Sequence, residues 1–134
     1  MVLENSFQIT EFDPEVLREY DIRGVVDKNI TENTAYTIGR IFGNVVHSKL
    51  DSSKISVGYD GRLTSPRLYD ALSHGLKDSG SYVFNIGMCP TPMLYFADYH
   101  LKTDAAIMIT GSHNPSEYNG FKMVLNKHSF FSDA

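Results

Sequence analysis

Ala105-Ala106-Ile107-Met108-Ile109 runs without interruption into Thr110-Gly111-Ser112-His113-Asn114-Pro115. Five apolar residues in a row show no polar alternation, which is the pattern of a strand covered on both faces. A strand of that kind needs helices above and below it. The polar, Gly- and Pro-containing stretch that follows is a loop, so the chain leaves a buried strand directly into a segment that offers a hydroxyl and an imidazole.

The sequence before and after this stretch supplies the rest of the sandwich. Lys54–Tyr59 alternates, with Ile55, Val57 and Tyr59 on one side, and Asp60-Gly61-Arg62 ends it. Residues 81–86 form a second short strand with Tyr82, Phe84 and Ile86 on one side, and 121–125, after Gly120, a third that suits an antiparallel setting. Between them lie helical patterns. Ala35, Ile38, Ile41, Phe42 and Val45 recur at three- and four-residue spacing behind Thr31 as N-cap. Leu68, Ala71, Leu72, Gly75 and Leu76 form an apolar face behind Ser65-Pro66, read as cap and first position, and Gly80 stops that helix. Thr91-Pro92 repeats the cap signal for a helix to about Tyr99. Residues 19–26 read as an extended segment ending in a turn, and residues 1–17 as loosely ordered, with the domain proper at 18–134. Strands alternating with helices predict a three-layer α/β/α domain around a mixed, mostly parallel sheet. In such sheets the working loops lie beyond the carboxyl ends of the strands. Asp60-Gly61-Arg62, Cys89-Pro90-Thr91-Pro92 and the Ser112 loop all fall there.

Composition narrows the class. A chain of 134 residues has room for one ordinary domain, and 42% hydrophobic with 21% charged residues suits a globular one. Twelve Lys and Arg against sixteen Asp and Glu give a net charge of -4, which argues against a nucleic-acid scaffold. The longest apolar runs, 93–97 and 105–109, are too short to span a membrane, and the first residues lack a secretory pattern; a cytoplasmic location is expected. Asn29-Ile30-Thr31 matches a glycosylation acceptor by chance in that setting. The single cysteine, Cys89, allows no internal disulfide and no multi-Cys metal site, and reads as an inert buried thiol. No G-x-G-x-x-G, G-x-x-x-x-G-K, G-x-S-x-G or H-E-x-x-H occurs, and the histidines at 47, 74, 100, 113 and 128 are scattered.

A serine at a strand end can act as a nucleophile or carry a phosphate if a partner takes its proton. The phosphate would add about -1.5 to -2 charges and three acceptor oxygens, calling for cations and backbone amides. His113, Lys122, Arg23 and Arg62 are the candidates by residue type. Gly111 would let the backbone approach a bulky group or take a positive φ. Each feature also has a plainer reading. The loop by itself is a Gly-Ser-Asn-Pro turn containing a histidine; Lys122 is a solvated strand lysine; Arg23 and Tyr20 finish an edge strand; Arg62 braces loops; Asp60 forms a turn.

Five segments, matching in chain order, turn the reading of Ser112, His113, Lys122 and Arg23 towards function and leave Arg62 and Tyr20 open between the two readings. Thr110-Gly111-Ser112-His113-Asn114-Pro115 resembles the phosphoserine loop of the α-D-phosphohexomutases. Arg18-Glu19-Tyr20-Asp21-Ile22-Arg23-Gly24 resembles their opening F-R-x-Y-D-I-R-G, with Leu17 in place of the phenylalanine. Gly58-Tyr59-Asp60-Gly61-Arg62 resembles their G-x-D-x-R turn, Pro90-Thr91-Pro92 their P-T-P turn, and Tyr118-Asn119-Gly120-Phe121-Lys122 the segment after the serine loop. The phosphoglucosamine mutases typically open with G-T-D-G-I-R-G and use A-S-H-N-P with N-G-I-K, so the chain is more similar to the phosphomannomutase/phosphoglucomutase branch.

The resemblance implies that Ser112 carries a phosphoryl group, donates it to a hexose 1-phosphate to form a 1,6-bisphosphate, and takes the other phosphate back to leave hexose 6-phosphate. Ser112, His113, Lys122 and Arg23 would be the catalytic residues. Tyr20, Arg23, Lys122 and Arg62 would bind substrate. A lysine that accepts a proton needs burial or a neighbouring cation to favour its neutral form, and Arg23 would supply the cation. Mg2+ would bind the Ser112 phosphate, and hexose 1,6-bisphosphate would serve as activator. The family's metal-binding D-G-D-x-D-R motif is not in this sequence. The chain is therefore expected to be the first domain, cut or truncated from its downstream domains, and inactive alone. The alternatives are a non-catalytic phosphosugar-binding module, a phosphoglucosamine mutase, or an unrelated serine hydrolase.

Overall fold

A computed structural model of the chain describes residues 7–10, 21–50, 53–111, 114–126 and 128–129, the side chains of Asp21, His128 and Ser129 excepted. Along these residues run β1 (Asp21–Val25), α1 (Glu32–Leu50), β2 (Lys54–Tyr59), α2 (Ser65–Asp78), β3 (Tyr82–Met88), α3 (Thr91–His100), β4 (Ala105–Ile109), β5 (Tyr118–Leu125) and β6 (His128–Ser129). The strands form one sheet in the order β1-β5-β4-β2-β3, with β6 paired to β5.

The apolar run behaves as its composition requires. Every residue of β4 is buried, and β4 lies between β2, parallel to it, and β5, antiparallel. Ala105, Ile107 and Ile109 face a core shared with Phe42, Leu68, Leu72, Ile55 and Phe121, on the α1/α2 side. Ala106 and Met108 face the other way, onto Leu94 of α3 and Cys89. Each fully buried large apolar side chain contributes about 1.5–3 kcal/mol, so both layers of helix are held chiefly through this strand and its neighbours. The α/β/α sandwich with a mixed sheet stands as expected. Its parallel part is smaller than the alternation suggests: β4, β2 and β3 are parallel neighbours, whereas β1–β5, β4–β5 and β5–β6 are antiparallel. Among the described residues no helix separates β4 from β5, which are antiparallel neighbours.

The helices show where local signals succeed and where they slip. Thr31 caps α1 as expected: its Oγ1 accepts from Thr34 N (3.2 Å) while Thr34 Oγ1 accepts from Thr31 N (3.1 Å), a capping box with threonine in the third position. The caps of α2 and α3 lie one residue earlier than expected, at Thr64 and Pro90, and neither makes a side-chain cap. The Ser65 hydroxyl is engaged elsewhere, as described below. Helices α1 and α2 touch through glycines. A Cβ on Gly75 would collide with the carbonyl oxygen of Tyr36, and one on Gly39 would lie 2.5 Å from that of Leu72.

A further difference concerns the end of β3. Strand β3 extends to Met88 because a bulge takes up Ile86: Val57 pairs with Asn85 but Gly58 with Gly87, whose φ is +88°. Residues 7–10, placed in the loosely ordered segment by sequence, run against α1. Gln8 N donates to Asn33 Oδ1 (3.0 Å), Thr10 N to Thr37 Oγ1 (2.9 Å), and Phe7 stacks on Tyr36.

Candidate functional site at the carboxyl edge of the sheet

The ends of β2 and β4 are tied together by Asp60 N, which donates to Ile109 O (2.9 Å). From there the polar contacts converge on the serine loop. Asp60 Oδ1 accepts from Ser65 Oγ (2.6 Å) and from Arg62 N (3.1 Å), an Asx-type turn that bends the chain after β2. Asp60 Oδ2 accepts from Gly111 N (3.0 Å) and Arg62 Nε (3.3 Å). Arg62 then reaches across: Nη2 donates to Asn114 O (2.7 Å), and Nη1 to Pro115 O (2.7 Å) and Tyr118 O (3.2 Å). Behind this pair the buried Asn119 donates to Ser65 Oγ and Thr64 Oγ1, both at 2.9 Å. Gly111 O accepts from both the backbone N (3.0 Å) and Nδ2 (3.1 Å) of Asn114.

Burial would push the Asp60 carboxyl up. The donors from Ser65, Arg62 N, Gly111 N and the Thr110 hydroxyl outweigh it and hold Asp60 below the ordinary carboxylate range. With side-chain exposures of 22% and 17%, Asp60 and Arg62 are an ion pair largely shielded from water. Gly111 owes its identity to this pair. Its φ is not in the left-handed region, but a Cβ there would run into Arg62 Cζ and Nε and lie 2.7 Å from Nη1.

The sequence candidates divide as follows. Ser112, His113 and Tyr20 lie outside the described residues; the residues that flank the first two, Gly111 and Asn114, are held as above. Arg23 and Lys122 are brought together. In the β1–β5 ladder Arg23 pairs with Gly120 and Asp21 with Lys122, so Arg23 and Lys122 are diagonal neighbours. They share the sheet face opposite Ile22, Phe121 and Met123, and both are half-buried. Gly120 allows the approach of β1, since a Cβ there would strike Ile22 O. Arg62, expected either to bind substrate or to brace loops, turns its guanidinium onto backbone carbonyls of the loop. Cys89 is buried, burial pushes its thiol up, and it packs where a Cβ on Gly58 would lie. Sequence reasoning read Ser65 as a helix cap and gave Asn119 no role at the site, because the contact between the two spans 54 positions. An acidic residue ending a strand two positions before an arginine was the available signal for Asp60.

A sandwich whose carboxyl edge fastens both flanks of a serine loop defines an α/β/α domain built to present that loop. The model of the phosphoglucomutase/phosphomannomutase α/β/α domain I matches residues 14–134. The chain belongs to the phosphoglucomutase/phosphomannomutase family, as its domain I. It is 45% identical over 120 residues to a phosphoglucomutase of Neisseria gonorrhoeae, covering 90% of this chain and 26% of that protein. It is 48% identical over 110 residues to a phosphomannomutase/phosphoglucomutase of Pseudomonas putida (82% and 24%). With a Klebsiella pneumoniae phosphomannomutase it shares 47% over 107 residues (80% and 66%). The crystal structure of a family protein from Burkholderia thailandensis superposes with a TM-score of 0.84 at 40% identity, over 92% of this chain and 28% of that one. The chain thus spans about a quarter of the length of the Neisseria and Pseudomonas relatives. The resemblance read from five segments is borne out, as is the branch. Among the described residues no helix is long and apolar enough to cross a membrane.

Proposed function

We propose that the chain supplies the phosphoserine-bearing domain of a phosphohexomutase that interconverts hexose 1-phosphate and hexose 6-phosphate of glucose or mannose. The observation that carries this reading is the fastening of Gly111 and Asn114, the neighbours of Ser112 and His113, by Asp60 and Arg62. Phosphoryl transfer asks little of a protein beyond positioning and neutralisation of charge. In the first step the bond between the Ser112 oxygen and phosphorus breaks as the free hydroxyl of the hexose phosphate forms its own bond to phosphorus. The hydroxyl proton passes to a base, for which Lys122 is the candidate, with Arg23 beside it to balance substrate phosphate, and the departing Ser112 oxygen takes up a proton from water to become a hydroxyl again. The resulting 1,6-bisphosphate turns over and returns its other phosphate to Ser112, and His113 supports the ester by hydrogen bonding. Tyr20 lines the sugar site.

The family's Mg2+ would neutralise the serine phosphate, but the described residues do not by themselves fit a divalent cation. They hold no cluster of three His, Cys, Asp or Glu, and the Asp60 oxygens are taken by donors. Its further ligands would belong to downstream domains, so the isolated chain is expected to turn over no substrate.

Intact mass of protein purified from cells, with and without Ser112→Ala, tests the reading. One labile phosphoryl group on the wild type, absent from the variant, together with loss of mutase activity in the full-length variant, is the expected result. Hexose phosphate binding without any phosphoryl group on Ser112 would instead mark a non-catalytic sugar-phosphate module.

A further inference from the structure

The contacts of Arg62 go beyond what a loop brace needs. One guanidinium binds three carbonyls on the far side of the serine, at Asn114, Pro115 and Tyr118, and the carboxylate of Asp60, which in turn binds Gly111 N on the near side. The two flanks of the Ser112-His113 dipeptide are therefore joined through a single ion pair, and glycine at 111 leaves the space in which that pair sits.

We propose that Asp60 and Arg62 act as a clamp that sets the position of the Ser112 oxygen for both half-reactions, making Arg62 a positioning residue instead of a substrate ligand. The inference rests on the phosphoserine reading above. It separates shape from charge. A lysine would keep the positive charge, but its ammonium is a point donor and cannot match the planar fork that reaches three carbonyls and a carboxylate at once. A clamp and a counter-charge therefore predict different outcomes for Arg62→Lys.

The experiment uses the full-length protein, with glucose 1-phosphate or mannose 1-phosphate as substrate and glucose 1,6-bisphosphate as activator. Arg62→Lys, Arg62→Gln and Gly111→Ala are compared with wild type. All three are expected to lose about 100-fold in kcat, the scale of an ångström-sized misplacement of a reacting group. KM for the hexose phosphate should stay within about twofold, as expected when only transition-state interactions are lost. The phosphoenzyme should also lose more of its phosphate to water relative to sugar, a partition that a purely structural role would not alter. Near-wild-type kcat for Arg62→Lys would overturn the proposal in favour of a counter-charge, and a loss confined to KM would overturn it in favour of substrate binding. Failure of all three variants to fold would reduce the pair to a fold determinant and overturn it as well. Absence of phosphoryl transfer in wild type would instead remove the phosphoserine reading, so the two failures are distinguishable.

Discussion

Replacing Asp60 with asparagine keeps the shape of the side chain and removes one acceptor oxygen and the charge. In the native site Oδ1 accepts from Ser65 Oγ and Arg62 N, and Oδ2 from Gly111 N and Arg62 Nε. The amide's NH2 must face one of these pairs. The less costly choice sets it against the Ser65 hydroxyl, which can rotate, and leaves Arg62 N without its acceptor. A hydrogen bond to a charged group is worth about 1.5–3 kcal/mol, and an orphaned donor costs about 1–3, so the substitution should destabilise the domain by roughly 2–4 kcal/mol. For a domain of this size that lowers the melting temperature by about 10 °C. The pH dependence has a definite sign. Asp60 is held below the ordinary carboxylate range, so its contribution is present above the unfolded pKa of about 3.9 and is lost as pH falls through the folded value. Thermal melts of wild type and Asp60→Asn should therefore differ most near neutrality and converge in acid. A shift below about 3 °C at pH 7, or a gap that widens in acid, would refute the account of the carboxylate as the hub of the loop.

Two further outcomes can be checked on the isolated domain. Gly75→Ala should lower the urea midpoint, because backbone cannot yield where the new Cβ meets Tyr36 O; overpacking of about 1–3 kcal/mol outweighs the gain of about 1 kcal/mol in helix propensity. Cys89, buried and with its thiol pushed up, should react with iodoacetamide at least about tenfold more slowly in native protein than in urea at pH 8, since the thiolate is the reactive form.

The core was legible from sequence because it is written in apolar runs. The five residues of β4 carry no alternation, and the structure buries all five. Periodicity also located α1, with its cap at Thr31, because capping is settled within four residues. The same local reasoning misplaced the caps of α2 and α3. Ser65 looks like a cap in sequence, but its hydroxyl donates to Asp60 and accepts from Asn119, a competition no local window contains. An antiparallel setting for 121–125 was legible, but the pairing of β1 with β5 was not, because a strand's direction depends on how a distant connection returns. At the site, Arg23 and Lys122 were found by type and by resemblance, and the register explains their proximity. That Arg62 braces loops was one of the two readings its type allowed, but which groups it grips was not legible, because its partners are main-chain carbonyls, and a carbonyl has no letter in the sequence.

The span of those contacts has a consequence for biosynthesis. Arg62 and Pro115 are separated by 53 positions, and every residue that grips the loop on the Arg62 side is translated before the loop itself. A nascent chain can build α1, β2, α2 and β3 in turn, yet the serine's surroundings come together only after β4 has threaded between its neighbours and β5 has closed behind it. Closing so long a chain segment costs entropy that only a nearly finished sheet offsets. The fastening of the loop's flanks thus arrives last, and in a half-made domain Gly111 would lack its bond to Asp60 and Asn114 its bond to Arg62.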